Sequence, residues 1–270
     1  MQGTPAPGTG QGQDAGRHAL ARFATQHAVR RQRRVWSGRV ASWDQHGSAG
    51  LTKVTAAILD RADAGPADHV VDLGCGTGQL SLPLANRGAQ VLAVDVSPAM
   101  IGRMLSEAER LGVTSLDGVA MPVEELVLPP ESVDLVVSSY AQHHLRDADK
   151  AHVVSAAFGW LRPGGRLMIA DMMFGRGASS RDRAIIKSKV VALARKGPGG
   201  WWRIAKNAAR YLLRVQERPV SMETWTVPLE RSGFAGITAT TIVAEAGIVA
   251  GHRPEGSPEA PQAAGSVPRR

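Results

Sequence analysis

A glycine-rich loop between an apolar run and a helical pattern is the part of this sequence best suited to chemistry. The apolar run 70–73 contains Asp72 and leads into Gly74, Gly76 and Gly78. Glycine lacks a Cβ, so this backbone can turn sharply and lie against a ligand. The N–H groups at the start of the following helix point toward that ligand. The segment predicts a loop that holds a nucleotide-like cofactor.

A second carboxylate follows at a spacing that suits a nucleoside. The apolar stretch 90–95 ends in Asp95, which can accept hydrogen bonds from a ribose diol. The dinucleotide fingerprint is G-x-G-x-x-G with an acidic residue about 20 positions later, whereas this loop reads G-x-G-x-G. Alternating glycines also occur in structural strand-to-helix turns. The combination with Asp95 favours nucleoside binding.

Short apolar segments alternate with helical patterns and must position these residues. Ser97 is a candidate N-cap, Pro98 suits the first helical turn, and Gly112 suits a C-terminal stop. A second helix is expected from about 149 to 160. Strands are predicted at 69–73, 90–95, 133–138 and 166–171, followed by a late pair at 237–245 and 247–251. This alternation predicts an α/β fold with a parallel sheet covered on both faces.

Five landmarks, in order, resemble the class I S-adenosylmethionine-dependent methyltransferases, including the ubiquinone and menaquinone methyltransferases. They are the loop 72–78, the segment 95–98, the strand 131–139, the His-His-Leu segment 143–145 and the segment 161–167. The resemblance implies a Rossmann-like, doubly wound, mostly parallel sheet with a terminal antiparallel strand pair. It also implies S-adenosylmethionine bound across the carboxyl ends of the strands, and methyl transfer from its sulfonium.

The same resemblance implies which residues bind the cofactor. Asp72 would orient the methionine ammonium and Asp95 would hold the ribose. Pro122 stands where relatives carry an acidic residue for adenine, so that contact would come from Asp117, Glu124 or the main chain near Val123. The expected cofactor-binding residues are Asp72, Gly74, Cys75, Gly76, Gly78, Asp95, Val96, Met100, Glu124 and Ser138.

His143 and His144 are the candidates for proton removal, because they follow the fourth strand and imidazole titrates near neutral pH. The alternative is that one caps a turn and the other packs under a helix. Tyr140 can serve the chemistry or form a wall of the cofactor pocket. Asp171 can bind substrate or a metal, but no further carboxylates with suitable spacing accompany it. We therefore expect no metal.

Two motifs are absent, and their absence limits the class of molecule that can accept the methyl group. The residues 138–142 read Ser-Ser-Tyr-Ala-Gln and not the Asn/Asp-Pro-Pro-aromatic signature of amino-directed nucleic-acid methyltransferases. The single cysteine, Cys75, lies in the glycine loop, which excludes methylation through a cysteine adduct. Both observations favour a small molecule as the acceptor.

Composition predicts one domain between two tails. With 270 residues, 43% of them hydrophobic, the chain can bury one sizeable core. Residues 1–16 and 252–270 are rich in Gly, Pro, Ala, Gln, Ser and Thr and are expected to be disordered, which leaves a methyltransferase domain at 17–251. The sequence shows no signal peptide or membrane span, so we expect a cytoplasmic protein. It indicates no oligomeric state.

The segment 175–218 is strongly basic. It carries 12 Lys and Arg against two acidic residues, or +10, which exceeds the net +8 of the chain. Residues 197–200 (Gly-Pro-Gly-Gly) divide it into two helical stretches, the second at 201–214. A helical lid over the substrate with a solvated basic face is one interpretation. Peripheral docking on a membrane and contact with nucleic acid are the alternatives, and nucleic acid is the least favoured.

An arginine-rich stretch before residue 40 contains Trp36, and related enzymes carry a helix here that closes over the site. Trp36 or Trp43 is expected to line that closure. Our interpretation is methyl transfer to a small, apolar or aromatic molecule. One alternative is C-methylation of a prenylated quinone precursor at a membrane surface. The other is a non-catalytic cofactor-binding regulator that docks nucleic acid through 175–218.

Overall fold

A computed structural model describes residues 33–38, 49–175, 180–195, 197 and 218–256. The strands are β1 (His69–Leu73), β2 (Gln90–Asp95), β3 (Leu116–Ala120), β4 (Val133–Ser139), β5 (Leu161–Met172), β6 (Ala235–Val243) and β7 (Ala246–His252). The helices are α1 (Ala49–Ala62), α2 (Ser81–Asn86), α3 (Pro98–Leu111), α4 (Asp147–Trp160), α5 (Ser180–Ala194) and α6 (Met222–Ser232).

The seven strands form one sheet in the order β3-β2-β1-β4-β5-β7-β6. The first five are parallel, whereas β7 runs antiparallel to both β5 and β6. The predicted sheet and its terminal antiparallel pair are therefore confirmed. After β1 the chain adds β2 and β3 on one side of β1 and then crosses back to add β4 on its other side. Their carboxyl ends consequently meet at a topological switch point, where open α/β sheets bind ligands.

Two apolar layers cover the sheet. On one face the core includes Val54 and Ile58 of α1, Leu84 of α2 and Met104 of α3, each fully buried. On the other face, helices α4 and α6 contribute a second group that includes Trp225, Leu229, Val154 and Ala157. Parallel strands need cover on both faces because both faces are apolar. The doubly wound arrangement follows from this.

The helix after β2 forms as its end signals predict. The Ser97 hydroxyl accepts a hydrogen bond from Met100 N at 3.3 Å, and Pro98 opens the helix. Gly112 ends α3 in the left-handed region at φ 69°. α4 begins at Asp147, two residues before the predicted start.

Three elements were not predicted. β3 is an edge strand whose side chains alternate between buried and exposed, so it lacks a continuous apolar run. α6 contains Pro228, which argues against a helix in a sequence pattern. The Ser221 hydroxyl nevertheless accepts from Thr224 N at 3.3 Å at its start, and packing of Trp225 and Leu229 holds it. For the residues of α1, the sequence pattern predicted no element.

The predicted C-terminal tail begins too early. His252 belongs to β7, and Arg253 is fully buried. The Arg253 guanidinium donates to Leu161 O at 2.8 Å and to Glu131 Oε1 at 2.7 Å. These bonds fasten residue 253 to the start of β5, because a buried guanidinium requires acceptors.

Only part of the basic segment 175–218 is described. Its first helical stretch is confirmed as α5, and Asp182 at its start accepts from Gly175 N at 2.8 Å. The second predicted stretch, 201–214, lies outside the described residues, as do Trp43 and the tail 1–16. Among the described residues, no helix has the length and apolar character needed to cross a bilayer.

Candidate cofactor and substrate site

An open cavity lies at the carboxyl ends of β1, β2 and β4. The predicted residues that line it are Asp72, Gly74, Cys75, Gly76, Asp95, Val96, Met100, Glu124 and His144. Gly78, Ser138 and His143 were also predicted to belong to the site, but they are not among the lining residues. The sheet topology thus brings most of the predicted residues around one space.

The glycine loop is held in a shape that only glycine allows. Gly74 lies at φ +79°, and a Cβ there would collide with the Cβ of Ala141. Gly78 lies at φ +92°, and its Cβ would stand 2.7 Å from Met104 Cγ. Gly74 therefore lets the backbone face the cavity, whereas Gly78 lets the loop pack on α3. The cofactor contact expected of Gly78 stays a prediction.

Asp72 is buried at the floor of the cavity. Its side chain is 1% exposed, and the Ser81 hydroxyl donates to Oδ2 at 2.5 Å. Burial raises the pKa of Asp72 to about 7, with a smaller contribution from the nearby charge of Asp95. Such a carboxylate gains most from a cationic neighbour, because a cation stabilises its ionised form. The residue fits the ammonium of a methionine moiety.

Asp95 sits beside the glycine loop at the end of β2. Its Oδ2 accepts from Gly76 N at 3.0 Å, and its Oδ1 accepts from Ser97 N at 2.8 Å. Burial raises its pKa, and these two backbone hydrogen bonds oppose that effect. Each carboxylate oxygen can accept more than one hydrogen bond, so the oriented group retains capacity for a ribose diol.

The segment at Pro122, where an adenine contact was expected, lies at the cavity. Pro122, Val123 and Glu124 all line the cavity at a short 3₁₀ turn. Burial raises the pKa of Glu124. Asp117 is exposed on β3 and is not among the lining residues. Of the candidates for an adenine contact, Glu124 and the main chain at Val123 therefore remain.

The two histidines occupy different environments. His143 is 5% exposed and lies under the cavity wall, where its Nδ1 is 2.5 Å from Asp171 Oδ1. Its backbone N–H donates to Asp171 Oδ2 at 2.8 Å. His144 lines the cavity, and its ring contacts those of His143 and Trp36 at centroid distances of 4.0 Å and 5.0 Å. Of the two histidines, only His144 is among the residues that line the cavity.

Asp171 supports this turn from below. It is 1% exposed at the end of β5, and Met172 N also donates to its Oδ1, at 2.7 Å. The sequence suggested that Asp171 binds substrate or a metal. In the structure its carboxylate oxygens bind His143 and the backbone of Met172. Within the part of the chain that the structure describes, no group of three or more His, Cys, Asp or Glu side chains is arranged to hold a metal ion.

Ser138 joins strands and does not reach the cavity. Its hydroxyl donates to Leu73 O at 2.6 Å and accepts from Gln142 Nε2 at 3.0 Å, and the residue is fully buried. The next residue, Ser139, lines the cavity instead. Because side chains alternate along a strand, the correct strand prediction still placed the wrong serine.

The remaining wall comes from outside the predicted motifs. Tyr140 lines the cavity at φ 52°, and burial raises its pKa to about 12. Trp36, in the helical segment 33–37, also lines it, and Ser37 Oγ lies 3.0 Å from Ser97 Oγ. Leu51 and Thr55 of α1 were missed, since no motif marks an apolar wall. The lining residues that were not predicted as site residues are Leu51, Thr55, Gln79, Leu80, Ser139, Ala141 and Leu145.

Comparisons of sequence show which proteins this framework is similar to. Residues 70–165 match the family model described as a methyltransferase domain. An uncharacterized methyltransferase of Geobacillus thermodenitrificans is 31% identical over 151 residues, which is 55% of this chain and 63% of the relative. The ubiquinone biosynthesis O-methyltransferase of Sinorhizobium fredii is 31% identical over 169 residues, 62% of this chain and 59% of the relative. The chain thus spans less than two thirds of these curated relatives.

A solved structure supports the same assignment at the level of the fold. The SAM-dependent methyltransferase from Aquifex aeolicus superposes with a TM-score of 0.55 at 14% identity, covering 80% of this chain and 97% of that one. The glycine loop, the two carboxylates and the strand order agree with this likeness. Residues 70–165 of the chain match a methyltransferase domain, and the fold around them is that of solved S-adenosylmethionine-dependent methyltransferases.

Proposed function

We propose that the protein transfers a methyl group from S-adenosylmethionine to a small, apolar or aromatic molecule. The observation that carries this proposal is the shared cavity. Asp72 and Asp95 line it together with Trp36, Tyr140 and His144, and the rings of Trp36 and His144 are in contact. Flat side chains of this kind pack well against an aromatic ring.

The cofactor supplies an activated methyl group when it is bound, so the chain mainly has to align the acceptor with it. Alignment in a near-attack geometry can contribute several kcal/mol of barrier reduction, about 7–11 in favourable cases. Asp72, Asp95 and the glycine loop would fix the donor, and Trp36 and Tyr140 would orient the acceptor. His144 would accept a proton if the acceptor is a hydroxyl group.

Calorimetric titration of S-adenosylmethionine and S-adenosylhomocysteine tests the cofactor assignment. We expect wild type to bind both ligands with micromolar affinity, and Asp95→Ala to lose that binding because the ribose contact is removed. Circular dichroism of the variant controls for folding. If neither ligand binds to well-folded wild-type protein, the proposed function is wrong.

A phenolic quinone precursor is a second candidate acceptor. The Sinorhizobium fredii relative is named a ubiquinone biosynthesis O-methyltransferase, and the His144 imidazole beside the cavity suits removal of a phenolic proton. A C-methylated product remains the alternative predicted from sequence. Incubation with catechol and quinol analogues, followed by NMR of the methylated product, separates an O-methyl from a C-methyl group.

The roles of the basic segment remain proposals. None of its described residues is among those that line the cavity, so a lid would have to involve the part outside the described residues. Membrane docking would bring an apolar substrate within reach of the protein. Co-sedimentation with anionic vesicles, with a nucleic-acid oligomer as competitor, distinguishes the lipid from the nucleic-acid alternative.

A further inference from the structure

The turn that carries His143 and His144 is fastened by a buried lysine. Lys150 lies in the first turn of α4, and the residue is only 4% exposed. Its ammonium donates to Leu145 O at 3.2 Å, to Asp147 Oδ1 at 3.0 Å and to Arg218 O at 2.8 Å. An ammonium has three protons, so these three acceptors use its full donor capacity.

The position of the Lys150 ammonium does not favour the stability of the protein. The N-terminal end of a helix carries a partial positive charge, which disfavours a cation in the first turn. Burial lowers the pKa of Lys150, although Asp147 partly opposes this effect. The Asp147 side chain is 49% exposed, so the ion pair is screened by solvent. The two carbonyl contacts are therefore what the lysine chiefly provides.

Both carbonyls belong to segments next to the site. Leu145 ends the 3₁₀ turn Gln142–His144 and lines the cavity. Arg218 is the last residue of the basic segment, and its N–H donates to His143 O at 2.6 Å. Arg218 thus binds the histidine turn directly through its N–H and indirectly through Lys150.

We propose that Lys150 is a positioning residue for methyl transfer, whose ammonium ties the histidine turn to the chain at Arg218 and so holds His144 against the cavity. This inference rests on the proposed function. Asp171 supports the same turn from β5 through His143. Lys150 adds a second link, from Leu145 O at the end of the turn to Arg218 O.

The test replaces Lys150 by Met, which removes the three donors and keeps an apolar chain of similar length. We expect kcat to fall at least tenfold, while the Kd for S-adenosylmethionine stays within twofold because Asp72 and Asp95 are untouched. Hydrogen exchange in peptides that cover 141–146 should accelerate, and exchange in 69–73 should not. Lys150→Arg, which keeps the charge and donors, should recover part of the activity.

Lys53→Met is the matched control, since Lys53 is exposed on α1 and does not line the cavity. It should leave kcat and exchange unchanged. If Lys150→Met is poorly folded, Arg218→Pro removes the N–H that binds His143 O without touching the lysine, and the same loss of kcat is expected. Unchanged kcat and unchanged exchange in 141–146 would overturn the proposal. A Lys150→Met variant that loses cofactor affinity and global stability as strongly as it loses kcat would also overturn it, because the lysine would then act on the whole fold.

The exchange measurement separates this proposal from the assignment of function. If wild type binds no cofactor and transfers no methyl group, the proposed function fails and the catalytic meaning of Lys150 fails with it. Faster exchange confined to 141–146 in Lys150→Met would still show that the lysine anchors the turn.

Discussion

Residues of the same type differ in function here because their surroundings differ. Asp72 is buried against a single serine hydroxyl, and its pKa rises to about 7. Asp95 accepts two backbone N–H groups, which oppose the same effect of burial. His143 is held by Asp171, whereas His144 faces the cavity. At this scale, burial and hydrogen bonds assign roles that residue type leaves open.

The raised pKa of Asp72 predicts pH-dependent binding of the cofactor. Below about pH 7 this carboxyl is protonated in the free protein, so a cationic ligand must displace the proton before pairing with it. Affinity for S-adenosylmethionine should therefore fall as pH decreases from 7 to 5, approaching tenfold per pH unit for one proton. Calorimetry across this range measures the slope.

Asp72→Asn provides the control for that prediction. It carries no titrating group at this position, so its weaker binding should be nearly independent of pH over the same range. A wild-type affinity that does not change between pH 5 and 7 would contradict the role of Asp72 as partner of the ammonium.

His144 is predicted to act on the acceptor and not on the donor. For a hydroxyl acceptor, His144→Gln should lower kcat by roughly 10²- to 10⁴-fold, the usual range for loss of a general base. Cofactor affinity should be retained. Steady-state kinetics of the two proteins at one pH, with calorimetry for the cofactor, measure both quantities. If the variant retains full kcat with a phenolic substrate, His144 is not the base.

Elements create the site by fixing where loops begin and end. β1 lies between β2 and β4 in the sheet, and the three strands are parallel. Their carboxyl ends therefore lie side by side at one edge of the sheet. α3 then presses Met104 against the loop at Gly78, and α4 and β5 hold the histidine turn from two sides. The geometry of the site is thus a property of packed elements.

Two glycines in different backbone conformations should respond in opposite ways to alanine. Gly74→Ala should destabilise the protein by about 1–3 kcal/mol, because Gly74 lies at φ +79° and faces Ala141. Gly102→Ala should stabilise it by about 0.5–1 kcal/mol, since Gly102 lies within α3 with no atom within 4 Å of its new Cβ. Urea denaturation measures both changes.

Ala141→Gly tests the origin of the first effect. It removes the colliding Cβ but leaves the positive φ, so combining it with Gly74→Ala should restore part of the lost stability. Additive losses in the double variant would show that the contact with Ala141 does not matter.

For the whole molecule, the C-terminal boundary of the domain lies beyond the last strand. The buried Arg253 ties residue 253 to Leu161 and Glu131. Removal of residues 254–270 should therefore leave Tm nearly unchanged, while removal of 252–270 should lower it by several degrees. Differential scanning fluorimetry of the two truncations decides between them. Equal Tm values for the two truncations would support the boundary predicted from sequence, with the domain ending at residue 251 and the tail beginning at residue 252.

The sequence by itself determined the sheet, the glycine loop and the carboxylates, because those features depend on local patterns. Alternating apolar segments marked β1, β2, β4 and β5, and end signals marked α3. Gly74, Asp72 and Asp95 were identifiable because chain direction and spacing place them at strand ends. Edge strand β3 and helix α6, by contrast, are stabilised by tertiary contacts that local propensity does not report.

Only the tertiary structure decided which neighbouring side chain reaches the cavity. Ser139 and not Ser138 lines it, and His144 and not His143 faces it. These choices depend on strand register and on the hydrogen bonds of Asp171 and Lys150, which join residues far apart in the chain. The aromatic wall at Trp36 likewise exists only where distant segments meet. Burial is a property of the packed chain, and that is why sequence alone could not supply it.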